Sequence, residues 1–419
     1  MKSTSKESQK EIGQSLLFSE VLILISFSIC YFFCISITLT GVRLATAPLI
    51  KQLPSILFFT TLIFHQVGIL FNQRQQSFQE KISKTWPFIC LSLLSIVGSL
   101  VALFYLNVRE NFLSFGISMM FVFGGAISIT TCREIKSWIS GLTHISLIFS
   151  VLAILGCFAH KLGLTGVPDG DSPTHEIEFL VLCPLFVAYY WYEKTSTKVL
   201  IIFFLILGTI ATQKLSGYII GLLALGHIYI EAVLRTSNPK WKKFITSASI
   251  ASVCVFGCIA VLVYFEFRSY FPSGNADVRF NQYERAFNAF IASPIWGTAY
   301  TDASGEYFKQ GDKLFYIPTH SDLLDMLRHG GLLAISLWLI GIVKVLILFT
   351  KAIRVQIFGT KEYAYFLGIR FFTISSILNY AFNPLLVQPP IALLIWITIG
   401  FGIGFSLDSI NNFKRRTPL

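Results

Sequence analysis

Apolar runs of about 18 residues or more recur along the whole of this chain, each long enough to cross about 30 Å of hydrocarbon as a helix. Of its 419 residues 54% are hydrophobic and only 13% charged, with mean hydropathy +0.67. That leaves too little polar surface to cover a soluble globule. In a soluble chain the net charge of +11 would suggest nucleic acid. Here the gathering of Lys and Arg on the inner side of a membrane explains it, and no nucleic-acid partner is expected.

The eight Cys lie almost all within apolar runs. No CxxC or Cys/His spacing occurs, so they read as small buried hydrophobes rather than metal ligands or disulfides. The first apolar run exceeds 20 residues, too long for a signal-peptide core. Pro48 follows Ala45-Thr46-Ala47 directly, which spoils the apparent cleavage site, and an uncleaved first span is expected.

Taken in order, the runs give twelve spans: 16–40, 53–71, 86–107, 111–130, 138–159, 177–192, 199–212, 215–234, 244–265, 331–350, 363–383 and 390–407. With the N-terminus inside, 20 of the 33 Lys and Arg fall on the cytoplasmic side, five in short outer loops and two, Lys344 and Arg370, within spans. The remaining six lie in one long outer segment. The expectation is an all-α polytopic membrane protein of about 12 transmembrane helices. It forms one integral-membrane domain over residues 1–419, with both termini cytoplasmic and a long outer loop, 266–330, containing short helices.

That loop holds the chemistry-bearing residues. Residues 277–291, DVRFNQYERAFNAFI, have the period of an amphipathic helix, with Phe280, Tyr283, Phe287 and Phe290 on one stripe. Arg279 borders the stripe and Arg285 lies nearly opposite, so the two arginines have different surroundings. Such a helix can lie on a membrane surface with Arg279 at headgroup level, or it can be a cap whose arginines face water. Pro294 and Gly297 end it. Trp296 and Tyr300 are aromatic plates that suit sugar rings or an interface. Thr319-His320-Ser321-Asp322 then opens a helical run closed by Arg328-His329-Gly330-Gly331, with a Thr or Ser as N-cap. A His at a helix N-terminus is held neutral by the dipole and is usable as a base, although a loop His can equally be solvated or structural. Asp322, Asp325 and Glu306 read as solvated loop acids or cap partners.

The order Arg279, Pro294, Gly297, His320, Gly330 resembles the outer-loop region of the O-antigen ligase and O-antigen polymerase superfamily. Two further stretches resemble it less closely. Pro173-Thr174-His175 stands where many polymerases have Pro-Ser-His. Thr212-Gln213-Lys214-Leu215-Ser216-Gly217 stands where the family often reads Thr-x-Ser-Arg-Gly, with Lys214 the nearest cation. Lysine offers a point charge without the arginine fork, and a Lys at a span end can also simply snorkel.

The resemblance implies a GT-C-like glycosyltransferase bundle in the bacterial inner membrane with its active site on the periplasmic face. The reaction it implies is metal-independent transfer of a glycan from undecaprenyl pyrophosphate to a sugar hydroxyl, of the inverting kind in one displacement, with no cofactor. Donor and acceptor are lipid-linked, membrane lipid is a partner, and a chain-length regulator protein is a further candidate partner. The catalytic candidates are His320, as base, and Arg279. Lys214, His175, Arg285, Arg328, Trp296 and Tyr283 are candidates for substrate binding, and no metal ligands are expected. The Pro-Thr-His segment favours a polymerase over a ligase. A transporter is the third reading, and the shortage of ionisable residues inside spans 2 to 4 argues against it.

Overall fold

The computed structural model describes residues 4–40, 50–70, 76–108, 112–129, 135–164, 177–212, 214–236, 274–303, 305–310, 313–383, 385 and 388–416. The expected span at 244–265 and the His175 segment lie outside the described residues. The described helices are α1 (Thr4–Thr40), α2 (Leu53–Leu70), α3 (Gln76–Tyr105), α4 (Leu113–Ser128), α5 (Ile135–Lys161), α6 (Glu178–Trp191), α7 (Thr195–Thr212) and α8 (Leu215–Thr236). They are followed by α9 (Gly274–Ala292), α10 (Asp322–Arg354), α11 (Lys361–Phe382) and α12 (Pro389–Arg416).

Among the described residues six helices are long and apolar enough to cross a membrane: those over 79–105, 137–161, 195–212, 216–234, 322–354 and 389–415. Shorter apolar helices occur at 20–36, 53–63, 113–128 and 178–191. The protein is an integral membrane protein. The apolar window of α12 is 94% buried within the protein, against 28–39% for the other five. Those five leave much of their surface uncovered by the described residues, whereas α12 is enclosed. Its closest partner is α4, and the reason is small residues at the crossing. A Cβ added at Gly400 would lie 2.4 Å from the carbonyl oxygen of Val122, and one at Gly125 would lie 2.9 Å from that of Ile397.

Proline inside α6 has a local remedy. Pro184 cannot donate to the carbonyl of Leu180 one turn back. The Tyr31 hydroxyl from α1 donates to that carbonyl instead, and Ser150 Oγ from α5 donates to the carbonyl of Val181.

The segment between α8 and α10 departs from the expectation of short helices in one place. Two strands, β1 (Gly305–Gln310) and β2 (Lys313–Pro318), pair antiparallel, in register from Gly305 opposite Pro318 to Gln310 opposite Lys313. The sequence there, GEYFKQGDKLFYIP, is rich in aromatic residues on both sides of a Gly-Asp pair. Those residue types favour paired strands over helix.

The helix after these strands is broken at Gly331, whose backbone is left-handed (φ 59°, ψ −157°). An unbroken helix would join the N–H groups of Leu332 and Leu333 to the carbonyls of Arg328 and His329. Here Leu332 donates to Pro294 O (2.8 Å) and Leu333 to Ile295 O (3.2 Å). The two released carbonyls accept in turn from Thr298 N (3.1 Å) and Tyr300 N (2.9 Å). Four backbone groups lost to the kink are thus recovered by exchange with the 294–300 turn, as burial requires. Tyr300 is fully buried in this joint, edge-on to Phe112 with ring centroids 5.3 Å apart.

Candidate active site

Helix α9 packs on the start of α10, and its buried face is set by Gln282 and Ala286, each 1% exposed. At about 100° per residue, Arg279 and Tyr283 fall within the same arc as these two. The face turned inward is therefore centred near Arg279, and not on the aromatic stripe. Phe287 and Ile291 are more than half exposed, as are Ile295 and Trp296 beyond the helix end. These four continue an apolar strip towards the half-exposed Leu332, which is the placement a helix lying on the interface needs.

His320 sits one residue before the N-cap of α10. Ser321 is that cap, accepting from Leu324 N at 3.4 Å. The side chain of Gln282 reaches across from α9, and its Oε1 accepts from the backbone N–H of His320 (3.3 Å) and meets the ring Nδ1 at 3.0 Å. Tyr283 donates its hydroxyl to the His320 carbonyl at 3.3 Å. Asp322 points the other way, with Oδ2 accepting from Leu385 N at 2.8 Å, and so fixes the turn to the connection between α11 and α12. Further in, Asn379 donates to Glu178 Oε2 (3.3 Å) and Asn383 to Asn379 Oδ1.

The His320 imidazole is held well below its ordinary pKa, down to about 4, first by burial, then by the positive charges of Arg279 and of Lys214. The sequence anticipates a neutral imidazole but from the helix dipole; burial and two cations are the larger causes. Lys214, from the turn between α7 and α8, and Arg279, from α9, therefore act on one histidine although 65 positions separate them in sequence. A neutral base beside two fixed cations suits a reaction in which a hydroxyl loses a proton while negative charge develops on a phosphate.

The remaining sequence candidates fall elsewhere. Arg285 is exposed on the far side of α9. Arg328 pairs with Asp302 at 2.9 Å; burial works against ionisation of the Asp302 carboxyl, but the Ala303 N–H and Arg328 together hold it below the usual carboxylate range. Asp322 and Asp325, expected to be solvated or cap partners, are each 1% exposed. Asp325 lies 3.8 Å from His329 Nε2, while His329 Nδ1 meets Thr298 Oγ1 at 2.9 Å. Among the described residues no three His, Cys, Asp or Glu side chains gather as a metal site would need. Sequence reasoning did not find Gln282; a polar residue one turn from Arg279 gave no signal that could separate it from a solvated one.

Residues 198–339 match the family model described as O-antigen ligase. The match covers about a third of the chain and is consistent with the O-antigen polymerase and ligase superfamily. It takes in most of α7, all of α8, the segment between α8 and α10 and the first half of α10, and so contains Lys214, Arg279, Gln282 and His320. No curated protein matches the chain. Members of the O-antigen ligase family are glycosyltransferase-like enzymes of O-antigen and lipopolysaccharide biosynthesis that act on lipid-linked glycans in membranes, and the match supports an enzyme role in general.

Proposed function

We propose that this protein is an O-antigen polymerase, joining undecaprenyl-pyrophosphate-linked repeat units at the periplasmic face of the bacterial inner membrane. The observation that carries the reading is a His320 anchored by Gln282 and Tyr283 and held neutral by burial and by the charges of Arg279 and Lys214, inside the family-matched segment. In the reaction, the acceptor sugar hydroxyl attacks the anomeric carbon of the donor glycan. The bond from that carbon to the pyrophosphate oxygen breaks, and its electron pair leaves with the lipid pyrophosphate. The hydroxyl proton passes to His320 Nε2. Arg279 and Lys214 stabilise the negative charge that grows on the leaving group, Arg279 through two parallel charge-assisted hydrogen bonds. A single displacement inverts the anomeric centre and forms no covalent sugar–enzyme intermediate.

The proposed topology is that of twelve spans with both termini cytoplasmic. Its support is that Phe112, Glu178, Lys214, His320 and Leu385, which all fall on the outer side of that topology, come together at one end of the bundle. Trp296, more than half exposed beside the joint, is placed to stack on a sugar ring or to sit among headgroups.

The second reading is an O-antigen ligase, favoured by the description of the matched family model; it uses the same donor with lipid A–core as acceptor. A deletion strain separates the two. Loss of a polymerase leaves lipid A–core carrying one repeat unit. Loss of a ligase leaves bare core and accumulated lipid-linked polymer, and that phenotype would overturn the polymerase reading.

A further inference from the structure

We infer that Gln282 is a positioning residue that fixes the tautomer of His320, so that Nε2 is the ring nitrogen carrying the lone pair. The inference rests on the reading of His320 as the base. The geometry is a logical constraint rather than a simple contact. The backbone N–H of His320 can only donate, and it donates to Gln282 Oε1 at 3.3 Å. The Gln282 atom facing His320 is therefore the amide oxygen, an acceptor. The imidazole Nδ1 lies 3.0 Å from the same oxygen, so Nδ1 must bear the hydrogen, and a neutral ring then has its lone pair on Nε2.

Gln282 is suited to this role in two ways. Its side chain is 1% exposed, so water does not compete for the oxygen. It is also uncharged, so it orients the ring without favouring the imidazolium. A carboxylate at the same position would orient the ring equally well but would raise its pKa. The charged groups acting on His320 are Arg279 from α9 and Lys214 from the turn after α7, both of which favour the neutral ring, while Asp322 on α10 is turned to the Leu385 amide. A neutral orienting group completes that set.

The test is steady-state glycan transfer by the purified full-length protein in lipid, with a synthetic lipid-linked repeat unit, across pH 4 to 9. His320→Ala, Gln282→Met and Gln282→Glu are compared with the parent. Gln282→Met, which offers no acceptor, lowers kcat by at least about tenfold with little change in KM for the donor. Gln282→Glu keeps activity at high pH but moves the acid limb of the profile up by about one pH unit or more. If His320→Ala is inactive while the Gln282→Glu profile superimposes on the parent's, the positioning role is wrong and the base survives. If His320→Ala transfers glycan normally, the base reading fails. Should the Gln282 variants not fold, solid-state NMR of the 15N-histidine-labelled parent decides the matter. After subtraction of the His320→Ala spectrum, a protonated Nδ1 is expected, and a protonated Nε2 overturns the inference.

Discussion

Leu332 donates its backbone N–H to the carbonyl of Pro294 at 2.8 Å and not to Arg328 one turn back in its own helix. Gly331 makes this possible. A Cβ there would lie 2.5 Å from the Ile295 carbonyl oxygen, on a backbone already left-handed at φ 59°. Gly331→Ala is expected to cost at least about 1–3 kcal/mol through backbone strain alone. It should also tilt the nine residues between Ser321 and Gly331 that carry the His320 turn. A lower melting temperature in detergent, together with reduced transfer, is the expected result.

Asp322 is the second fixing point. Its Oδ2 accepts from Leu385 N at 2.8 Å in a buried setting. Asp322→Ala removes the acceptor and leaves that N–H unsatisfied, at about 1–3 kcal/mol. Asp322→Asn keeps an oxygen there and should recover most of the loss. A thermal-unfolding series of the two variants checks this ordering.

For the chemistry itself, His320→Ala should abolish chain extension while the protein still inserts and binds donor. Arg279→Lys should also be severely impaired, because a point charge does not replace a bidentate fork. Near-parental polymer length from Arg279→Lys, read on a glycan gel, would make α9 a structural helix only.

The pH profile follows from the neutral imidazole. His320 works as a base above its pKa and fails below it. With that pKa down to about 4, kcat/KM should hold level from neutral pH to about pH 5 and fall beneath. A bound pyrophosphate neutralises the two cations that help to depress the ring, so the acid limb of kcat should lie at higher pH than that of kcat/KM. Lys214→Met removes one cation and should move the kcat/KM limb upward as well. A limb unmoved in Lys214→Met would place that lysine away from the site.

The all-helical, membrane-embedded character of the chain was legible because a run of apolar residues has one outcome in lipid, a helix that satisfies its own backbone. The start of α10 was legible too, since Thr-His-Ser-Asp before an apolar run carries its own cap. Harder features depend on partners far along the chain. The strand pair at 305–310 and 313–318 mixes aromatic and charged residues without a clean period. The Arg328–Asp302 pair spans 26 positions, and nothing near Arg328 announced it. Gln282 looked like any polar residue on a surface helix until its oxygen was found between two groups of His320. Lys214 was found only through the likeness of its surroundings to a family pattern, and its effect on His320 emerges from the fold.

The enclosed position of α12 governs the order of assembly. Every helix it touches, α4 above all, precedes it in the chain, so those neighbours are synthesised around a gap that only later residues can fill. Until 389–416 arrive, Gly125 of α4 lacks the Ile397 and Gly400 backbone that it packs against. A chain ended before residue 389 would carry Arg279 and His320 but lack the helix that fills the space beside α4.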